Sequence, residues 1–339
     1  MNTELLKKLG NLDQIAGIRE ARLLRGRAEG AAIAEFYSAA GLRFSVVPDR
    51  CMDLYDLSYK GVNLAFHSKN GLTSAQDNSA MDGEFCEQWP GGAMVTCGLD
   101  NVGGSCQDAS GVYPIHGRIG STPAQCFGTQ TYWDGDRYLL RVSGEIHQTR
   151  LYGRHLSIRR TIETGLDEKT IRIHDVITNF ESHDQPYMLL YHCNFGYPLL
   201  QADSIAATSR CVRMPMGDCT TDPVHMAPPS EDRPEEMFYY TGFGQTATGM
   251  LANDRLGLGV YVRYQTKHLP YMMQWKLLRA HDYVLAFEPC SCVETNRVNA
   301  IQSGKIPVLP AYSSIENELE IGILDGAEEI QALRASLDG

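Results

Sequence analysis

The chain has 339 residues, 43% hydrophobic and 21% charged, ordinary globular proportions that exclude a disordered, collagen-like or coiled-coil protein. Thirty Lys and Arg against 41 Asp and Glu leave a formal charge of −11, and with no basic run longer than a pair the footprint of a nucleic-acid binder is missing. A chain of this length can bury a large core without disulfide or metal staples.

Thr3–Leu9 predicts a short helix ending at Gly10. Strands follow at Ile18–Leu24, Ala31–Tyr37 and Leu42–Val47, with glycine breaks between them. Leu54–Tyr59, Lys60-Gly61 and Val62–Phe66 predict a hairpin. Residues 67–113, rich in Gly, Asp, Asn, Ser and Gln, interrupt the rhythm and predict a long functional loop. Thr129–Trp133, Tyr138–His147, His155–Thr164 and Thr170–Phe180 then predict an antiparallel meander. Met214–Pro234, which holds Pro223, Pro228 and Pro229, predicts loop.

Further strands are expected at Ala247–Leu251, Leu256–Gln265, Tyr271–Lys276, Val284–Glu288, Gly304–Tyr312 and Asn317–Leu324, with a closing helix over Ala327–Leu337. No βαβ alternation, repeat or clear linker is visible. The expectation is one all-β domain over residues 1–339, a large antiparallel β-sandwich with core about 15–325 and short terminal helices.

The N-terminus lacks the apolar core of a signal peptide, and no stretch approaches the ~18 apolar residues of a membrane helix. The ten cysteines contain no Cys-x-x-Cys pair. These features predict a cytoplasmic protein, without membrane partner, whose thiols are reduced.

Three segments set an ionisable group beside glycine, proline or aromatic residues. In Tyr113-Pro114-Ile115-His116-Gly117-Arg118 the chain must bend around His116; a hydrogen-bonded loop histidine is the plainer alternative. In Leu189-Leu190-Tyr191-His192-Cys193-Asn194-Phe195 the imidazole of His192 lies within an apolar strand, either as a satisfied core group or as a pocket residue. In Val284-Leu285-Ala286-Phe287-Glu288-Pro289 a carboxylate closes an apolar strand ahead of a proline that should end the ladder; a structural ion pair would explain it equally well. Together they form an acid/base set with no nucleotide loop, nucleophile elbow or His-x-x-x-His metal spacing beside it. No cofactor and no metal are expected.

His116-Gly117, His192-Cys193-Asn194-Phe195 and Phe287-Glu288-Pro289, with Pro48-Asp49-Arg50-Cys51-Met52-Asp53 ahead of Lys60-Gly61, resemble the aldose 1-epimerase (galactose mutarotase-like) superfamily. Thr96-Cys97-Gly98-Leu99-Asp100-Asn101-Val102-Gly103 is similar to a little-characterised bacterial branch of it, and the likeness covers roughly residues 15–325. The resemblance implies a β-sandwich binding a sugar in an open cleft. It implies Glu288 as general base, His192 as general acid, and His116 and Arg50 as orienting groups. Cys193-Asn194 departs from the family's usual pair, and its mid-chain Asp has only Asp218 and Asp222 as candidates.

Opening a hemiacetal ring needs a base at the anomeric hydroxyl and an acid at the ring oxygen, which a carboxylate and an imidazole supply. Trp275, Phe195 and Tyr191 are candidates for stacking on a sugar, and Gln274, Asn101 and Arg50 for binding hydroxyls. Arg118 is a candidate for pairing with an acidic or phosphorylated sugar, the plainer alternative being a bridge between loops; for Trp275 it is core packing. The expected activity is carbohydrate mutarotation or epimerisation of a monosaccharide. A non-catalytic sugar-binding protein and a metal-dependent sugar isomerase, with His116, His192 and Glu288 as ligands, remain alternatives. A small-molecule sugar is the expected partner, with self-association left open.

Overall fold

The computed structural model describes residues 6–74, 84–215 and 222–338. Strands Gly17–Arg22, Ala32–Tyr37, Leu42–Val47, Asp53–Tyr59 and Val62–Asn63 form a five-stranded antiparallel meander in that order. The eight-stranded sheet runs, edge to edge, Ile205–Thr208, Thr246–Asn253, Leu258–Gln265, Ser314–Asp325, Thr170–Asn179, His155–Gly165, Arg137–Thr149 and Gln125–Asp134. The six-stranded sheet runs Val212–Arg213, Glu236–Thr241, Tyr271–Arg279, Asp282–Cys290, Met188–Phe195 and Val95–Leu99. All three are antiparallel.

Alternation dictates the packing. In Thr170–Asn179, Ile171, Ile173 and Ile177 are buried while Arg172 and His174 on the other face are not, the pattern of a sheet wetted on one side. Met188–Phe195 shows no such contrast, because every residue in it is buried. Its odd positions, Leu189, Tyr191, Cys193 and Phe195, join the main core, while Met188 and Leu190 join a second apolar cluster on the sheet's far side. The main core draws on all three sheets, with Phe36, Leu57, Ile158, Val262 and Phe287 among its members. The sheets approach so closely at Gly249 that a Cβ there would lie 2.6 Å from the Phe287 ring.

A buried ionic network lies within this core. Arg160, wholly inaccessible, donates to both carboxylate oxygens of Asp175 (2.9 and 2.7 Å), to Asp53 Oδ1 (3.2 Å) and to Thr96 Oγ1 (2.9 Å). The Tyr191 hydroxyl donates to Asp175 Oδ2 at 2.7 Å. Each charge is both paired and hydrogen-bonded, the condition on which buried ions are tolerated.

Most expected strands form, and Ala327–Asp338 is the closing helix. The helix expected over Thr3–Leu9 lies partly outside the described residues; Leu12–Gln14 forms a 3-10 turn ahead of the first strand. Four expectations need correcting. Residues 67–113 are not all loop: they hold the helix Glu84–Gln88, the edge strand Val95–Leu99 and the hairpin of Cys106–Asp108 with Gly111–Tyr113. The strand is short, carries Gly98 and is buried throughout, so it shows no alternation. Pro289 does not end its strand, which continues to Cys290. The ladder toward Met188–Phe195 is registered at Leu190↔Cys290 and again only at Cys193↔Phe287, so the two intervening pairs are skipped around the residue with no N–H to give. Of Gly304–Tyr312 only Val308–Leu309 pairs, hemmed in by Pro307 and Pro310. Finally, Ile205–Thr208, Val212–Arg213, Glu236–Thr241 and the helix Arg297–Gln302 form where no element is expected.

Candidate active site

The site is built on the outer face of the six-stranded sheet. The register that pairs Leu190 with Cys290 and Cys193 with Phe287 puts His192 opposite Glu288. Glu288 also pairs with Met273, and Trp275 follows two residues along on the same face. Glu288 Oε1 lies 3.3 Å from His192 Nε2. Both side chains are almost completely buried, at 1% and 7% residue exposure, in a bed that includes Leu190, Met273, Cys290 and Val95. Desolvation opposes charge on either. It pushes the Glu288 carboxyl up to about 8, with Glu235 adding to the shift, and the His192 imidazole down to about 3, with His116 adding to it.

His116 arrives from the loop beside the edge strand. Its φ of 56° and the 72° of Gly117 place two successive residues in the left-handed region. Gly117 is required there, since a Cβ would meet Gly98 O at 2.3 Å. His116 N donates to Gly103 O and its carbonyl accepts from Gly98 N, both at 2.9 Å. The ring then lies 5.3 Å from Phe85 and 5.9 Å, edge-on, from His192. Burial pushes the His116 imidazole down to about 4.

Trp89 closes the cluster, 5.3 Å from His192 and 5.9 Å from Trp275, which is itself 5.4 Å from His192. Its carbonyl is held by Ser68 Oγ and Asn70 Nδ2 (2.5 and 3.1 Å). Trp275 Nε1 donates to Glu235 at 3.2 Å. Beside this cluster, and sharing His116, Trp89 and Val95 as wall, a cavity extends past Gln88, Thr96 and Ser121 to Arg50 and Asp53. Among the described residues, three buried polar atoms in the cluster have no hydrogen-bond partner: Trp89 Nε1, His192 Nδ1 and Glu288 Oε1, the last two despite the close approach of the two side chains. Leaving such a group unsatisfied costs about 1–3 kcal/mol, so their convergence marks a place shaped for something polar.

The structure thus brings together Glu288, His192, His116 and Trp275, with Arg50 in the adjoining cavity. The other candidates lie elsewhere. Gln274 is on the core face, where its amide donates to Pro223 O (2.7 Å) and accepts from the Tyr240 hydroxyl (3.3 Å). Asn101 is fully buried; it donates to Gly104 O and Pro114 O (3.0 and 2.8 Å) and accepts from Arg297 N (2.8 Å), which steadies the His116 loop from behind. Arg118 bridges Asp100 Oδ2 (3.1 Å) and Val112 O (3.0 Å). Tyr191 and Phe195 are in the core. Asp222 is largely exposed and pairs with His225, and Asp218 lies outside the described residues.

Phe85, Trp89 and Asp53 are the contributors that sequence reasoning missed. The Trp89-Pro90-Gly91-Gly92 string was the available signal for one of them. Among the described residues no three His, Cys, Asp or Glu converge as metal ligands, and no helix is long and apolar enough to cross a membrane.

The family model described as "Domain of unknown function (DUF4432)" matches residues 28–323. No curated protein matches the chain. Among solved structures, the chain is similar to a putative aldose 1-epimerase from Klebsiella pneumoniae (TM-score 0.86, 20% identity, covering 100% of this chain and 91% of that one). It is also similar to a galactose mutarotase-like protein from Clostridium acetobutylicum (0.62, 13%, 92% and 99%). A third is the galactose 1-epimerase from Lactobacillus acidophilus (0.60, 11%, 92% and 99%). At these identities the likeness concerns the fold, which is the large mutarotase-like β-sandwich.

Proposed function

Because the chain belongs to the DUF4432 family and has the galactose mutarotase-like fold, we propose that it interconverts the anomers of a monosaccharide by acid/base catalysis at Glu288 and His192. The observation that carries this reading is the convergence of an acid/base pair and three unsatisfied polar atoms inside an aromatic enclosure. Such an enclosure suits a sugar, whose ring has apolar faces and a polar rim.

In the ligand-free site at neutral pH, burial leaves one proton on the pair, on the Glu288 carboxyl, with His192 neutral. Ring opening then proceeds with Glu288 giving its proton to the ring oxygen while His192 takes the proton of the anomeric hydroxyl; the C1–O5 bond breaks and C1 becomes a carbonyl. After rotation about C1–C2, the 5-hydroxyl attacks the other face of that carbonyl. Glu288 recovers its proton from this hydroxyl as His192 returns the other to O1. Each group therefore serves as acid in one half and base in the other, and the starting proton distribution is the reverse of the one the family resemblance implies. His116, Trp89 and Trp275 orient the ring.

Anomer-exchange NMR tests the proposal. Each of Glu288→Gln and His192→Ala should slow catalysed exchange by ~10²–10⁴-fold with the circular dichroism spectrum unchanged. Folded variants that exchange as fast as the parent would refute it. Sugar binding without accelerated exchange in the parent would instead favour a binding protein on the same scaffold.

A further inference from the structure

The cavity beside the acid/base pair contains two ionic side chains, Arg50 and Asp53, whose engagement differs. Arg50 is the obvious receptor for an anionic sugar, but the edge of its guanidinium that would chelate a phosphate or carboxylate is already engaged. Nε donates to Thr73 O at 3.3 Å and Nη2 to Thr73 Oγ1. Bidentate capture of an oxyanion needs that fork unoccupied.

Asp53 is the complement. Oδ1 accepts from Thr96 Oγ1 (2.6 Å) and Arg160 Nη1 (3.2 Å), whereas among the described residues Oδ2 accepts only from Thr96 N (3.0 Å). A carboxylate offers about four acceptor positions, so one remains on Oδ2. The side chain keeps 8% exposure and lines the cavity. Thr96 and Arg160 hold the carboxylate from two sides, so it is fixed in place before any ligand arrives. It bears a negative charge above about pH 6.

Resting on the mutarotase reading of the neighbouring pair, we propose that Asp53 is a sugar-binding residue that accepts a hydroxyl remote from the anomeric carbon and thereby restricts the substrate to uncharged monosaccharides. A phosphate or carboxylate at that position has no proton to give Oδ2 and would lie against a like charge, while Arg50, the cation in the same cavity, already gives two N–H groups to Thr73. A hydroxyl would find the acceptor waiting.

The test uses the intact protein and anomer-exchange NMR. D-glucose and D-galactose are set against D-glucuronate and D-glucose 6-phosphate at equal concentration, followed by the monodeoxy series of the better neutral sugar. Neutral sugars should be exchanged at least ~10-fold faster than anionic ones, and removal of one hydroxyl away from C1 should raise KM at least ~10-fold. In Asp53→Asn, KM for the neutral sugar should rise about tenfold more than kcat falls, and the preference over anionic sugars should shrink. Anionic sugars exchanged as fast as neutral ones, or a deoxy series in which no position matters, would overturn the proposal while leaving the mutarotase reading intact. A folded Asp53→Asn protein with unchanged KM would do the same. Exchange accelerated for no sugar would overturn both. If Asp53→Asn does not fold, the two comparisons on the parent protein decide.

Discussion

Glu288 and His192 are held in uncharged forms by the same cause, removal from water, and this has consequences in pH. Exchange should run on a plateau between about pH 4 and 8. It should fall below that range as His116 and His192 acquire protons, and above it as Glu288 loses its own; a pH–rate profile of kcat/KM checks both limbs. The same carboxyl affects stability. Its folded value of about 8 lies above the ordinary 4.5, so the native state retains a proton that the unfolded chain releases. Stability contributed by this group is therefore present below pH 4.5 and is lost as pH rises through 8. Glu288→Gln cannot ionise, so its stability relative to the parent should improve steadily from pH 4.5 to 8.5 in denaturant melts.

At this scale the sequence was informative where a residue's own neighbours constrain it. Pro114 and Gly117 announce a bend at His116, and the apolar runs around His192 and Glu288 announce buried ionisable groups. Asp53 and Trp89 could not be read in the same way. Their roles arise from Thr96, Arg160 and Trp275, far away in the chain and adjacent only after folding.

Among the elements, strands with one wet face were the easiest to foresee, because alternation records which side is buried. Thr170–Asn179 is the clear example. Val95–Leu99 escaped notice because both its faces are covered and it sits within a polar, glycine-rich stretch. The His116 loop, by contrast, depends on a single conformation. Gly117→Ala should force a Cβ against Gly98 O and add left-handed strain of about 1–2 kcal/mol. The shifted imidazole should lower kcat/KM up to ~10²-fold, more than the modest loss in Tm would suggest; exchange NMR and thermal melts on the same sample separate the two effects.

For the whole molecule, the β-sandwich followed from the spacing of strands and turns, but the ionic network at its centre did not. Arg160 and Asp175 are in phase with the buried Ile158, Ile162, Ile173 and Ile177, so alternation places both charges on the core face but does not reveal that they meet there with Asp53 and Tyr191. Arg160→Met would leave Asp53 and Asp175 buried without their shared cation, and denaturant unfolding should show a loss of about 3–5 kcal/mol.

Tyr191 and His192 are consecutive residues with opposite destinations, the phenol to Asp175 and the imidazole to Glu288. Sliding this strand by one position would deliver each ring to the wrong compartment, so two unrelated penalties guard a single alignment. Libraries that randomise Met188–Phe195 should therefore sort odd and even positions into separate screens, one scored by melting and the other by turnover.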